Sequence, residues 1–291
     1  MPAAKKAKKV VDFTVVEKGE FEACLLGTAP IWLHALNSKT QKELLFPTGR
    51  KNTAQKQAHL KHDPLEEYRT SPYRNSDKAA ATYIEAIAAG VKFSMAQVAL
   101  DLPDTGTSKA QLLRLLFAPQ ERIPVWGIPA LGMVPVRMAD MNRTPDIRTR
   151  AVIKTWATKI RIAFVKPVLR QEVVLKILSA AGFMGGIGDW RAGKGNGNFG
   201  TFEIVKPTDK RFKYITKVGG RKAQIEAMQT PDFYDDASRE LYTWFQREIV
   251  LRGFEEKLAN RVSVIEEAEG PVPVIDPDTG KLIELNGKPV D

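Results

Sequence analysis

The residue types best suited to chemistry lie between Gly185 and Gly200, which reads Gly-Gly-Ile-Gly-Asp-Trp-Arg-Ala-Gly-Lys-Gly-Asn-Gly-Asn-Phe-Gly. Two nucleotide-binding patterns are embedded in it. Gly188 to Lys194 fits G-x-x-x-x-G-K, but Gly195 follows where a phosphate loop needs Ser or Thr to hold magnesium. Gly195-x-Gly197-x-x-Gly200 fits a dinucleotide fingerprint, but it leads into a strand where that fingerprint opens a helix. What remains is a backbone free of Cβ atoms at Gly186, Gly188, Gly195 and Gly197, able to approach a ligand and expose N–H groups. Arg191 and Lys194 add charge, and Trp190 and Phe199 add flat surfaces on which unstacked bases could rest. The alternative is a mobile hairpin whose aromatics tuck into the core, with Asp189 paired to Arg191.

Cations flank this loop on both sides. Arg143, Arg148 and Arg150 precede a long alternating strand, and Lys159 and Arg161 share one face of it. Lys206, Lys210, Arg211, Lys213, Lys217, Arg221 and Lys222 follow the loop. Brought together, these side chains, Lys213 among them, would line a groove for phosphates. Arg143 and Arg148 could instead pair with Asp140 and Asp146.

Catalytic signals are thin. His34 follows the first strand and is the one candidate acid–base group, with Lys39 or Arg50 as a second group. Its apolar surroundings, Trp32-Leu33-His34-Ala35-Leu36, favour a structural role. His59 and His62 stand three apart beside Asp63 without a third strong metal ligand, so no metal site and no cofactor is expected. Cys24 lies in a strand with no paired base. Asp232, Asp235 and Asp236 suit the positive end of a helix better than a two-metal centre.

The elements that would position these groups follow from periodicity. Residues 13–36 read as a strand and a bend broken by Gly27 and Pro30. Residues 37–76 read as a polar insertion or mobile loop with a helical turn near Pro64–Tyr68. Asp77 predicts a helix over Ala79–Ala89 stopped by Gly90, with a second helical stretch near Ser94–Leu100. Ser108 opens a short helix over Lys109–Phe117. Pro124, Pro129 and Pro135 place residues 122–136 in short edge strands. Trp156 to Val165 alternates as a long strand ended by Pro167, and Gln171–Ala181 has helical spacing with Gly182 as its stop. Thr201–Val205 is a further strand, and a long helix is expected from Thr230 to about Arg261.

The 291 residues carry a net charge of +10. Nearly all of the excess lies between Arg137 and Lys222, with 19 Lys and Arg against 6 Asp and Glu. The last 31 residues carry 3 basic and 7 acidic side chains. A concentrated positive field attracts polyanions, nucleic acid first and anionic membrane second. The single cysteine argues against a disulfide framework, and no apolar run is long enough for a membrane span. The N-terminal lysines have no apolar segment behind them, so no secretory signal is expected and the reading is a soluble protein of a reducing compartment.

The order strand, helix ending in Ala-Gly-Phe, Gly-Gly-Ile-Gly-Asp-Trp-Arg, then Gly-Asn-Phe-Gly-Thr-Phe-Glu-Ile resembles the glycine-rich loop of the RAMP superfamily, the Cas5-, Cas6- and Cas7-like proteins of CRISPR systems. Asp140–Val205 is also similar to a family of bacteriophage and prophage proteins that share the run Asp-Met-Asn-Arg-Thr-Pro-Asp-Ile-Arg-Thr-Arg (Asp140–Arg150). The RAMP resemblance covers about a quarter of the chain. It implies a ferredoxin-like (RRM-like) sandwich that binds RNA along a basic surface. The phage resemblance implies the cytoplasm of a bacterial host and brings no activity with it.

The expected protein is therefore α+β. A basic arm (1–12) precedes a RAMP-like domain (13–222) with its insertion at about 37–76. A helical extension (223–261) and an acidic extended tail (262–291) follow. The expected function is non-catalytic binding of single-stranded RNA or DNA, as a homo-oligomer coating a strand or within a larger ribonucleoprotein, away from membranes. The alternatives are a metal-independent endoribonuclease using His34, as some RAMP members imply, and a phage assembly protein with a basic docking face.

Overall fold

The computed structural model describes residues 15–36, 41, 44–45, 62–102, 108–137, 145–194, 197–254, 274–275, 282–285 and 288–289. The fold is mixed α+β with antiparallel sheets. Contacts divide the chain into two compact units, Met1–Asn52 with His62–Arg239, and Thr53–Lys61 with Glu240–Asp291.

In the first unit, β1 (Glu17–Gly27) and β2 (Ile31–Trp32) are followed by α1 (Pro64–Thr70), β3 (Tyr73–Arg74) and β4 (Ile84–Ile87). Then come α2 (Ala88–Val98), α3 (Lys109–Leu115), β5 (Leu116–Phe117), β6 (Arg122–Trp126), β7 (Pro129–Arg137), β8 (Pro145–Ile153) and β9 (Ala157–Lys166). The unit continues with α4 (Gln171–Ala180), β10 (Phe202–Val205), α5 (Lys210–Val218) and α6 (Arg221–Gln229). Helix α7 (Asp236–Leu251) starts in this unit and runs on into the second. The second unit also holds β11 (Val274–Ile275), β12 (Leu282–Leu285) and β13 (Lys288–Pro289), paired antiparallel in that order.

The main sheet runs β10–β1–β9–β6–β4–β3, with β5 also on β9. Strands β1 and β9 pair from Glu17↔Lys166 to Leu26↔Ala157. The period of two sends Ile160, Ile162 and Phe164 to a buried face and leaves Lys159 and Arg161 on the other. Helices α2 and α4 pack against each other, and Gly182, just beyond α4, lies against Phe202 on the buried face. On the opposite face Phe212 and Ile215 of α5 cover Cys24, Leu26, Trp126 and Ala157. A second sheet, β2–β8–β7, is pinned by Trp32↔Val152 and by nine paired positions between β7 and β8. Trp156 joins the two sheets: its indole donates to the Ala29 carbonyl (2.8 Å) and its ring meets Phe202 edge-on. Burying each large apolar side chain in this core contributes about 1.5–3 kcal/mol.

Several expectations hold. The long strand, α3 with its Ser108–Gln111 capping box, α4 with Val174, Ile177 and Leu178 inward, and the strand after the glycine loop are present. Others are corrected. The Asp77 carboxylate does accept the Ala79 N–H (2.9 Å), but it closes a single turn. The chain then extends as β4, because Gln224 captures the amides of Tyr83 and Ile84 and β4 pairs with β6. Gly90 lies inside α2 instead of ending a helix. Strand β6 is interior to its sheet, although β7 is an edge strand as its prolines suggested. Residues 62–76 of the expected insertion form α1 and β3, with Tyr68 fully buried and its hydroxyl on the Ala227 carbonyl (3.0 Å). Helix α7 begins at Asp236, after the Asp235 carboxylate takes the Ser238 N–H (2.8 Å). Among the described residues no helix is long and apolar enough to cross a membrane.

Candidate nucleic-acid interface

The glycine-rich segment starts where α4 widens into a π-helical turn, Ala181–Gly185. It then folds back on itself and onto β2. The amides of Gly186, Ile187, Asp189 and Gly200 donate to the carbonyls of Ala181, Gly200, Trp32 and Pro30 at 2.8–2.9 Å. The Trp190 amide donates to the Asp189 carboxylate (3.1 Å), and the Phe199 amide to the Trp190 carbonyl (3.4 Å). Gly200 has φ +69°, and a Cβ there would stand 1.7 Å from the Ile187 carbonyl oxygen. A Cβ on Gly197 would stand 1.5 Å from the Trp190 carbonyl oxygen, and one on Gly188 2.7 Å from that of Trp32. These glycines are thus required by the close approach of the loop to itself and to β2.

Trp32 is the hub of this packing. Its ring centroid lies 4.9 Å from Trp190, 5.4 Å from Tyr234 and 5.7 Å from Phe199, each edge-on. Trp190 and Phe199 are half-buried around it. Arg191 is also turned inward: Nη1 donates to the Gly188 carbonyl (2.9 Å), so the expected Asp189–Arg191 pair is replaced by two separate backbone contacts. Lys194 falls in the 3-10 turn Ala192–Lys194, whereas Gly195 lies outside the described residues.

The remaining cations fall in three settings. On β8, Arg148 pairs with Asp146 (3.4 Å). Arg150 on the same face is half-buried; burial lowers its pKa, and the Asp189 charge partly offsets that. Arg143 lies outside the described residues. On the main sheet the β1–β9 register sets Glu22 opposite Arg161 and brings Glu20 alongside. Lys159 is 3.9 Å from Glu22 and Arg161 4.0 Å from Glu20, while Lys18 also holds Glu20 and keeps its carboxyl below the usual range. This face is therefore a mixed-charge ladder, not a basic groove, because the neighbouring strand supplies the acids.

The third setting is α5. Asp209 caps it by accepting the amides of Arg211 (2.8 Å) and Phe212 (3.2 Å). Phe212 and Ile215 face the sheet. Lys210, Lys213, Tyr214 and Lys217 recur at the i, i+3, i+4, i+7 spacing of the opposite stripe and are all exposed, Tyr214 at 66%. None of the three lysines has an ion-pair partner among the described residues, whereas Arg211 is held by Asp209 and Glu203. Tyr214 was the member overlooked in the sequence; reading the segment at a period of 3.6 would have set it inside the lysine stripe.

The described catalytic candidates lie in separate settings. His34 is exposed after β2, while Trp32 and Leu33 before it are buried. Lys39, Arg50 and His59 lie outside the described residues. His62 sits between Glu67 and Asp146, and Asp63 caps α1. Cys24 is buried and its thiol pKa is pushed up by that burial. Among the described residues no cluster of His, Cys, Asp and Glu could hold a metal ion. Neither a protein-family model nor a curated protein matches the chain.

Proposed function

We propose that this protein is a non-catalytic binder of single-stranded nucleic acid built on a ferredoxin-like, RAMP-like body, with oligomers lining up along the strand. Support for the fold comes from the order β10–β1–β9–β6, antiparallel throughout, with α2 between β1 and β6 and α4 between β9 and β10 in the chain. This order supports a β-α-β-β-α-β reading, with β2 to β4 before α2, α3 and β5 before β6, and the β7–β8 hairpin before β9 as insertions.

The observation that carries the functional reading is the α5 stripe. Three exposed lysines without acidic partners among the described residues flank an exposed tyrosine on one helix face. Phosphates would meet the ammonium groups, and a base could stack on the phenol. The cations of β8 and β9 described above, and Arg191 of the glycine loop, are engaged by carboxylates or by the backbone. Lys39 and Arg50, the candidate second groups for His34, lie outside the described residues, and the proposal is one of binding.

The test is binding to fluorescent single-stranded RNA, single-stranded DNA and duplex DNA across a salt series. Each neutralised phosphate on a single strand adds about 0.7 to the salt slope. Replacing Lys210, Lys213 and Lys217 by Gln should lower the slope by about 2. Lys159→Gln/Arg161→Gln, whose charges lie beside Glu22 and Glu20, should change it little. No binding at low salt, or a slope indifferent to the α5 changes, would overturn the reading. Salt-sensitive capture of an acidic protein in place of any nucleic acid would turn the stripe into a docking face for such a partner.

A further inference from the structure

The ring of His62 stands immediately before α1 and between two carboxylates. Nδ1 is 2.7 Å from Glu67 Oε1, and Nε2 is 2.8 Å from Asp146 Oδ1. A neutral imidazole has one N–H, so it can donate to only one of them; its other nitrogen would face a carboxylate oxygen lone pair to lone pair. The imidazolium alone satisfies both contacts. Each acid has a further partner on β8: Glu67 Oε2 accepts the Thr149 N–H (3.3 Å), and Asp146 Oδ2 lies 3.4 Å from Arg148 Nη2. Asp146 is 7% exposed, and a carboxylate so enclosed depends on its cationic partners.

Further charged groups lie nearby among the described residues. Arg150 on β8 lies close enough to Glu67 and Arg148 to feel both. In α1, Asp63 is turned to the Glu66 amide (3.2 Å), and Glu66 lies in the same first turn. Strand β7, also against α1, contributes no titratable side chain among those described. Among the described residues the balance is set by two acids against His62 and Arg148, with Arg150 behind. The Glu67 hydrogen bond raises the His62 pKa, burial opposes it, and Asp146 reinforces it.

We propose that His62 is a proton-operated clamp: its imidazolium ties α1 to β8 through Glu67 and Asp146, and deprotonation breaks one tie and loosens α1 from the strand that carries Arg148 and Arg150. The sign follows from the raised folded-state pKa. The contribution is complete below the ordinary imidazole value, about 6.5, and is lost as pH climbs through the higher folded value.

The experiment uses the full chain. His62 is titrated by NMR, its ring resonance assigned by its absence in His62→Gln, while hydrogen exchange of the Thr149 amide is followed from about pH 6 to about pH 9. A His62 midpoint above the ordinary value is expected. A several-fold fall in Thr149 protection should accompany it, beyond the intrinsic base-catalysed trend, and be missing from His62→Gln. A midpoint at or below about 6.5 would overturn the clamp. So would Thr149 protection that ignores pH in the wild type, or a step that persists in His62→Gln. If that variant does not fold, the wild-type midpoint, placed by elimination against His34→Gln and His59→Gln, and the wild-type exchange profile decide the matter.

Discussion

Replacing Gly200 by Ala separates two meanings of a glycine-rich loop. If the glycines serve a ligand, Gly200→Ala should leave the free protein as stable as before. The structure leads to the opposite expectation. At φ +69° a non-glycine residue costs about 1–2 kcal/mol. The new Cβ would fall 1.7 Å from the Ile187 carbonyl oxygen, so the backbone must move. That movement endangers the Gly200→Pro30 and Ile187→Gly200 hydrogen bonds, at 2.8 and 2.9 Å, each worth about 0.5–1.5 kcal/mol. The sum is about 2–5 kcal/mol, or roughly 4–20 °C in Tm for a unit of this size. Gly90→Ala is the internal control. Gly90 lies inside α2, and a methyl group added there would meet nothing within 4 Å, so alanine should stabilise by about 0.5–1 kcal/mol. Thermal unfolding followed by tryptophan fluorescence reads both. An unchanged Tm in Gly200→Ala, or an equal drop in Gly90→Ala, would refute the self-packing account.

Two further substitutions probe the frame. Gln224 is fully buried and makes four hydrogen bonds, accepting from Tyr83 and Ile84 and donating to Val125 and Gly127. Gln224→Glu replaces the donor by a carboxyl that must stay protonated to serve even one carbonyl; its folded pKa is raised, so denaturation midpoints should fall further below wild type at about pH 8 than at about pH 4. Trp32→Leu should cost about 3 kcal/mol and speed tryptic cleavage after Arg191, since Trp190, Phe199 and Tyr234 lose their common neighbour; unaltered cleavage would disconnect Trp32 from loop order.

Much of the frame was legible in the sequence because local signals and tertiary packing agreed. The Trp156–Val165 alternation, the Ser108 cap and the α4 stripe each state their partner face directly. The misreadings arise where a distant residue decides. Nothing within Ala79–Ala89 announces that Gln224, more than a hundred residues away, will take two of its amides. Nothing in Lys159 or Arg161 reveals Glu20 and Glu22, which only the β1–β9 register brings alongside. Strand β8 is hard to see as a strand because its arginines invite a charge reading, although Ile147, Thr149, Ala151 and Ile153 alternate with them.

The glycine loop shows why composition alone misleads about sites. A backbone nest binds anions with free N–H groups, and here the amides of Gly186, Ile187, Asp189, Trp190, Phe199 and Gly200 are already donated within the protein. Arg191 is donated as well. Among the donors left for a polyanion are side chains that the fold does not consume, and the α5 lysines fit that description. Loop integrity and polyanion affinity should then be separable. Gly200→Ala should lower Tm with the salt slope intact while the protein stays folded, and the α5 substitutions should lower the slope with Tm intact. A single substitution that moved both together would mean that the loop and the stripe form one surface.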